Sequence, residues 1–143
     1  MTSFDVLIID SEEAEAQAVS DKLCRLGLST IVCCSEEDGI HHFENNEFSI
    51  VVLAINAVPG SGQQFYASFQ ARQQSRRPSP LLMVAGVPTI KREWYRSLVD
   101  RGRSVVVEAN KPYDVDELTS MVRRILQTHE QCQATYNANS IVE

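Results

Sequence analysis

The sequence predicts an α/β fold in which five parallel strands form one sheet covered by helices on both faces. Two observations predict it: short runs of branched apolar residues recur along the chain, and each is followed by a capped segment with helical spacing. A third is size, since 143 residues suit one domain with a core of ordinary extent.

The first strand is DVLIID, Asp5 to Asp10, a continuous apolar run of the kind parallel strands show when both faces are covered. Ser11 is the expected N-cap of the first helix, with Glu12 and Glu13 in its first turn; Ala14, Ala18, Leu23 and Leu26 follow until Gly27 stops it. LSTIVCC, residues 28 to 34, is the second strand, and SEEDGIHHFENN, residues 35 to 46, opens with another Ser-capped acidic turn. SIVVLA, residues 49 to 54, is the third strand and runs into a Pro-Gly loop. A helix over 62 to 74 carries Phe65, Phe69 and Arg72, and SRRPSP breaks it before the fourth strand, LLMVA, at 81 to 85. Pro88 and Thr89 start a helix carrying Trp94, Leu98 and Val99 that ends at Gly102. SVVVEA, residues 104 to 109, is the fifth strand, and Asp114 caps a last helix through Leu118, Met121, Val122, Ile125 and Leu126. The expected organisation is a domain over 1–128, with a polar tail over 129–143 that reads as frayed helix and linker.

Composition narrows the function. A net charge of -6 argues against general attraction to nucleic acid or to an anionic membrane surface, and no apolar run approaches a membrane span, so a cytoplasmic protein is expected. Cys24, Cys33, Cys34 and Cys132 lack metal-site or disulfide-framework spacing and read as buried thiols. His41 and His42 diverge by roughly 100° around a helix, which spoils a shared metal site. PGSGQQ lacks the Gly-Lys-Ser/Thr ending of a phosphate loop, and the acids of DSEEAE oppose a flavin phosphate at the first helix. No cofactor is expected.

Ligands of such sheets bind beyond the carboxyl ends of the strands, which here hold Asp10, Ala54, Ala85 and the loop before Lys111. IID at the first strand end, VVLA and PGSG at the third, LLMVAG at the fourth and NKPY after the fifth resemble, in order and spacing, the receiver domain of bacterial two-component response regulators. The resemblance covers residues 4 to 128 and implies a flavodoxin-like (βα)5 fold in three layers. It also implies a phosphorylation site: two acids closing the first strand to hold Mg²⁺, an aspartate closing the third as phosphoacceptor, a Ser or Thr closing the fourth, and Lys-Pro after the fifth.

Against that pattern the chain keeps Asp10, Lys111 and Pro112 and loses the rest. Ser11 stands at the second acid and Ala85 at the hydroxyl residue, and Glu108, three residues before Lys111, stands where the resemblance implies the family's switch aromatic. Strand register assigns Ala54 to the phosphoacceptor position, whereas counting back from Pro59 assigns Ile55; neither side chain takes a phosphoryl group. Asn56 reads as a turn former beside Pro-Gly. Lys111 is expected to pair with Asp10, since buried charges are paired.

The chain thus resembles a pseudo-receiver: no enzyme, but a phosphorylation-independent module acting through protein contacts. Its candidate partner surface is the fourth helix, where Lys91, Arg92 and Arg96, with Arg101 and Arg103 beyond, surround Trp94 and Tyr95. The resemblance implies that the face of the fourth helix, fifth strand and fifth helix serves dimer or partner contacts, with Asp114, Asp116 and Glu117 as acidic complement. Two other readings remain: a flavodoxin-like enzyme or ligand-binding domain, and the regulatory N-terminal domain of a transcription factor.

Overall fold

A computed structural model describes residues 2–73, 80–98 and 105–142, with the backbone alone at 73, 105–106 and 129–142. Five strands alternate with five helices: β1 (Thr2–Ile9), α1 (Glu13–Arg25), β2 (Thr30–Cys33), α2 (Glu36–Asn45), β3 (Asn46–Ala54), α3 (Gln63–Gln73), β4 (Leu81–Gly86), α4 (Pro88–Ser97), β5 (Val105–Asn110) and α5 (Val115–Val142). The strands form one parallel sheet in the order β2-β1-β3-β4-β5.

Alternation along the strands divides the core into two layers. Leu7, Ile9, Val51, Leu53, Leu82 and Val84 face one side, where they meet Phe43 of α2, Phe65 and Phe69 of α3 and Trp94 of α4. The rings of Phe43, Phe65 and Phe69 pack with centroids 5.3 to 6.4 Å apart. Val6, Ile8, Ile50, Val52 and Met83 face the other side, against Val19 and Leu23 of α1 and Leu118, Val122 and Leu126 of α5. The architecture is the flavodoxin-like three-layer α/β/α fold, with the strand order reversing at β1 and β3, the switch point at whose carboxyl ends ligands of such folds generally bind.

Helix ends follow local chemistry, with one exception. Ser35 accepts the Asp38 N–H at 3.2 Å and Asp114 accepts the Glu117 N–H at 3.0 Å. Gly27, at φ 88°, closes α1 in a Schellman motif: its N–H donates to Cys24 O, and the Leu28 N–H donates to Leu23 O. The expected cap at Ser11 is not made. The N-cap is Glu12, without a side-chain cap bond, because Asp10 Oδ1 takes the Glu12 N–H at 2.9 Å. Helix α4 stops at Ser97, before the expected Gly102; Val99, Gly102 and the SRRPSP turn up to Ser79 lie outside the described residues. Helix α5 runs past residue 128 to Val142, so the segment expected to fray is helical backbone. Among the described residues no helix is long and apolar enough to cross a membrane.

Cysteine placement departs from expectation. Cys33 is buried at the end of β2, whereas Cys24 and Cys34 are exposed. Burial pushes the Cys33 thiol up to about 11, and it sits near the carboxylate of Asp38. A period-2 strand puts only one of two adjacent residues inward.

Candidate functional site

Asp10 directly follows β1 at the switch point, is 2% exposed, and has both its oxygens engaged. Oδ1 takes the Glu12 N–H, while Oδ2 accepts from Lys111 Nζ at 2.7 Å and from the Tyr113 hydroxyl at 2.8 Å. Lys111 and Tyr113 lie in the β5–α5 loop, whose backbone is tied to the sheet by Lys111 N–H donating to Gly86 O at 3.2 Å. The Lys111 ammonium also meets Glu15 Oε2 at 2.8 Å and Glu12 Oε1 at 3.2 Å, and it lies 4.7 Å from the Tyr113 ring centroid.

Burial alone lowers the pKa of this ammonium, but the carboxylates of Asp10, Glu15 and Glu12 gathered around it outweigh burial, so the net shift is upward. Burial first, and the Asp10 carboxylate second, also push the Tyr113 phenol upward. A group whose folded pKa is raised stabilises the fold fully below its unfolded pKa, and that stabilisation is lost as pH rises through the folded value. Stability is therefore expected to hold from neutrality to about pH 10, where free Tyr and Lys begin to titrate, and to fall above it. Denaturant midpoints across alkaline pH check this; an equal slope in Lys111→Met would assign the effect elsewhere.

The floor of the pocket is apolar. Ala54 pairs in register with Ala85, and Asp10 follows Ile9, which pairs with Leu53. Ala54 and Ala85 pack in the layer shared with α1 and α5. Ile55, 3% exposed, turns into the opposite layer beside Leu53 and Trp94, and its N–H donates to Ala85 O at 2.8 Å. Of the two residues left open by sequence, Ala54 thus stands with Asp10 and Ala85, and Ile55 is core. Asn56 organises the loop: Oδ1 accepts the Val58 N–H at 2.9 Å and its own N–H donates to Ser61 Oγ at 3.0 Å. Ser11 is exposed and Glu108 lies away from Lys111, its carboxylate 3.9 Å from Lys91 Nζ.

The α4 cluster does not form one surface. Lys91 is 8% exposed and donates to Asn110 Oδ1 at 2.9 Å, and Trp94 is 5% exposed, edge-on to Tyr66. Both therefore drop out of the expected partner surface, because a separation of three residues puts them on the same inward face of the helix. Arg92 and Arg96 are exposed and Tyr95 is half-buried; Arg101 and Arg103 lie outside the described residues. Burial, then the Glu108 charge, pushes Tyr95 up to about 12.

Sequence reading missed Glu12, Glu15 and Tyr113 as pocket residues. The two acids read as dipole partners of a helix start, and Tyr113 carried no signal beyond standing two residues after Lys111. No group of three metal-ligating His, Cys, Asp or Glu side chains occurs among the described residues.

The chain matches no protein-family model and no curated protein. Solved structures do match. A CheY-like response regulator receiver domain protein from Methanospirillum hungatei JF-1 superposes with a TM-score of 0.70 at 16% identity, over 92% of this chain and 98% of that one. The receiver domain of NtrX from Brucella abortus gives 0.65 at 21% identity, over 87% and 99%. A protein described as one of a family of streptococcal redox sensors evolved from two-component response regulators gives 0.75 at 13% identity, over 94% of this chain and 55% of that one. At these identities the likeness is one of fold: the chain has the fold of response regulator receiver domains.

Proposed function

We propose that this chain is a pseudo-receiver, a signalling module of a two-component or related pathway that works by binding another protein or a second copy of itself, without aspartyl phosphorylation. The observation that carries the reading is the occupied pocket. Lys111 is committed to three carboxylates, and the neighbouring strand ends carry the methyl groups of Ala54 and Ala85. Phosphoryl transfer to a protein needs a nucleophile and positive groups aimed at the transferred oxygens. Ala54 supplies no nucleophile, and an incoming phosphoryl group would meet Asp10, Glu12 and Glu15 at close range. Two clefts among the described residues, at the β5–α5 edge and beside α4, hold about 180 and 220 Å³, below the roughly 300 Å³ where small-molecule sites begin, so neither of them favours a catalytic or small-ligand reading.

Incubation with acetyl phosphate and Mg²⁺ is expected to leave the intact mass unchanged. Ala54→Asp is expected to restore no efficient labelling, because the new carboxylate would lie beside Asp10 with Lys111 already engaged and no hydroxyl at Ala85. A gain of one phosphoryl group on an aspartate of the wild type sinks the reading.

Partner contact is assigned to the exposed part of α4. Arg92 and Arg96 are solvated cations on a chain of net charge -6, so binding through them should weaken with salt. Reversing both charges, Arg92→Glu with Arg96→Glu, is expected to weaken self-association or partner capture and to leave the melting temperature nearly unchanged. Sedimentation and capture identical to wild type would place the interface elsewhere.

A further inference from the structure

Three carboxylates from one short segment converge on a single nitrogen: Asp10 at 2.7 Å, Glu15 at 2.8 Å and Glu12 at 3.2 Å from Lys111 Nζ. Hard divalent cations also favour several carboxylate oxygens around one point, but these three are spread about an ammonium and, as they stand, form no group able to hold a metal ion among the described residues. Here that point holds the protein's own ammonium. We infer that Lys111 is a resident counter-cation, which closes the pocket to divalent metal ions and fastens the start of α1 to the β5–α5 loop in one arrangement.

The donor count supports this. A lysine ammonium has three N–H donors and no acceptor, and three carboxylates are in reach of it. The Tyr113 ring lies beside the same charge, 4.7 Å away. Asp10 and Glu12 accept hydrogen bonds from Nζ, Glu15 Oε2 faces it as an ion pair at 2.8 Å, and the side chain is only 9% exposed. The spacing points the same way: oxygens bind Mg²⁺ at about 2.0–2.1 Å and Ca²⁺ at about 2.3–2.6 Å, so this shell is set at ammonium distance.

The charge count gives the consequence of removing the amine. Three formal negative charges face one positive charge, and Asp10 is 2% exposed with Tyr113 and the Glu12 N–H as its only other partners among the described residues. Without the amine the buried carboxylate needs another cation, and the shell can contract around a divalent one. The inference rests on the reading above, which takes this pocket as out of use for phosphoryl chemistry, and it specifies what holds the pocket shut.

Thermal melts with and without millimolar Ca²⁺ or Mn²⁺, matched in ionic strength with NaCl, test it. The wild type is expected to show no divalent-specific shift. Lys111→Gln is expected to melt lower and to recover part of the loss with the divalent ion, since binding to the folded state alone raises apparent stability. Adding Glu15→Gln should remove that recovery. A divalent-specific rise in the wild type overturns the inference, as does a folded Lys111→Gln without one. If Lys111→Gln folds in neither buffer, the wild type decides: selective Mn²⁺ broadening of the Glu12 and Tyr113 amide signals overturns the inference, and unbroadened signals support it. Acetyl phosphate labelling is read separately, so a wild type that binds metal yet takes no phosphoryl group removes the inference and leaves the pseudo-receiver reading standing.

Discussion

Lys111→Met is expected to destabilise the fold by about 3 kcal/mol, the usual cost of breaking a buried ion pair from one side. The loss arises mainly at Asp10, which is 2% exposed and would lose its cationic partner. Tyr113 and the Glu12 N–H would still donate to it, which holds the cost near the low end for such pairs. Asp10→Asn should cost less, because Lys111 retains Glu15 and Glu12. The double variant should cost less than the two single changes summed, since it leaves no uncompensated charge buried at that point. Urea melts of the four proteins measure the coupling; strict additivity would mean that the contact carries no interaction energy.

Gly62→Ala should be comparably damaging, for a reason unrelated to charge. Gly62 sits at φ 78°, and a Cβ there would lie 2.6 Å from Ile55 Cγ2 and 3.0 Å from Trp94 Nε1. Left-handed backbone at a non-glycine residue costs about 1–3 kcal/mol, and overfilling a packed core adds about 1–3 kcal/mol more. Gly60→Ala is the natural control, because Gly60 has φ 82° but open space around the same position. It should show the backbone cost alone. Equal losses at the two glycines would mean that Ile55 is not packed against this loop, and the assignment of Ala54 to the pocket would lose its main support.

Ile55 illustrates why a strand end is harder to read than a strand. The run SIVVLAI marks β3 clearly, but the last inward residue depends on where the strand leaves the sheet. Local spacing allows both Ala54 and Ile55, and the choice follows from pairing with β4 and from the space that Gly62 and Gly86 leave for the isoleucine. Trp94 shows the same limit. Its aromatic-basic neighbourhood suits an interface by composition, yet the α4 periodicity turns Trp94 and Lys91 onto Tyr66 and Asn110 and, of the basic and aromatic residues there, leaves Arg92 and Arg96 exposed, with Glu93 between them. Composition reports which residue types are present in a segment, whereas burial depends on the layer packed over it.

By itself the sequence determined the alternating five-unit architecture and the lack of a carboxylate at the end of the third strand. Both are local properties: branched apolar runs, capping residues and the identity of a side chain need no distant partner to be legible. Only the tertiary structure decided what fills the pocket. Lys111 and Asp10 are 101 positions apart in sequence, and Tyr113 reaches Asp10 across 103. They meet because all five strands run parallel, which puts the end of β1 and the β5–α5 loop on the same rim of the sheet, where the long Lys111 side chain reaches Asp10. Whether two charges so far apart in the chain come into contact depends on how the strands are ordered and how far each extends, and no local pattern around either residue encodes that.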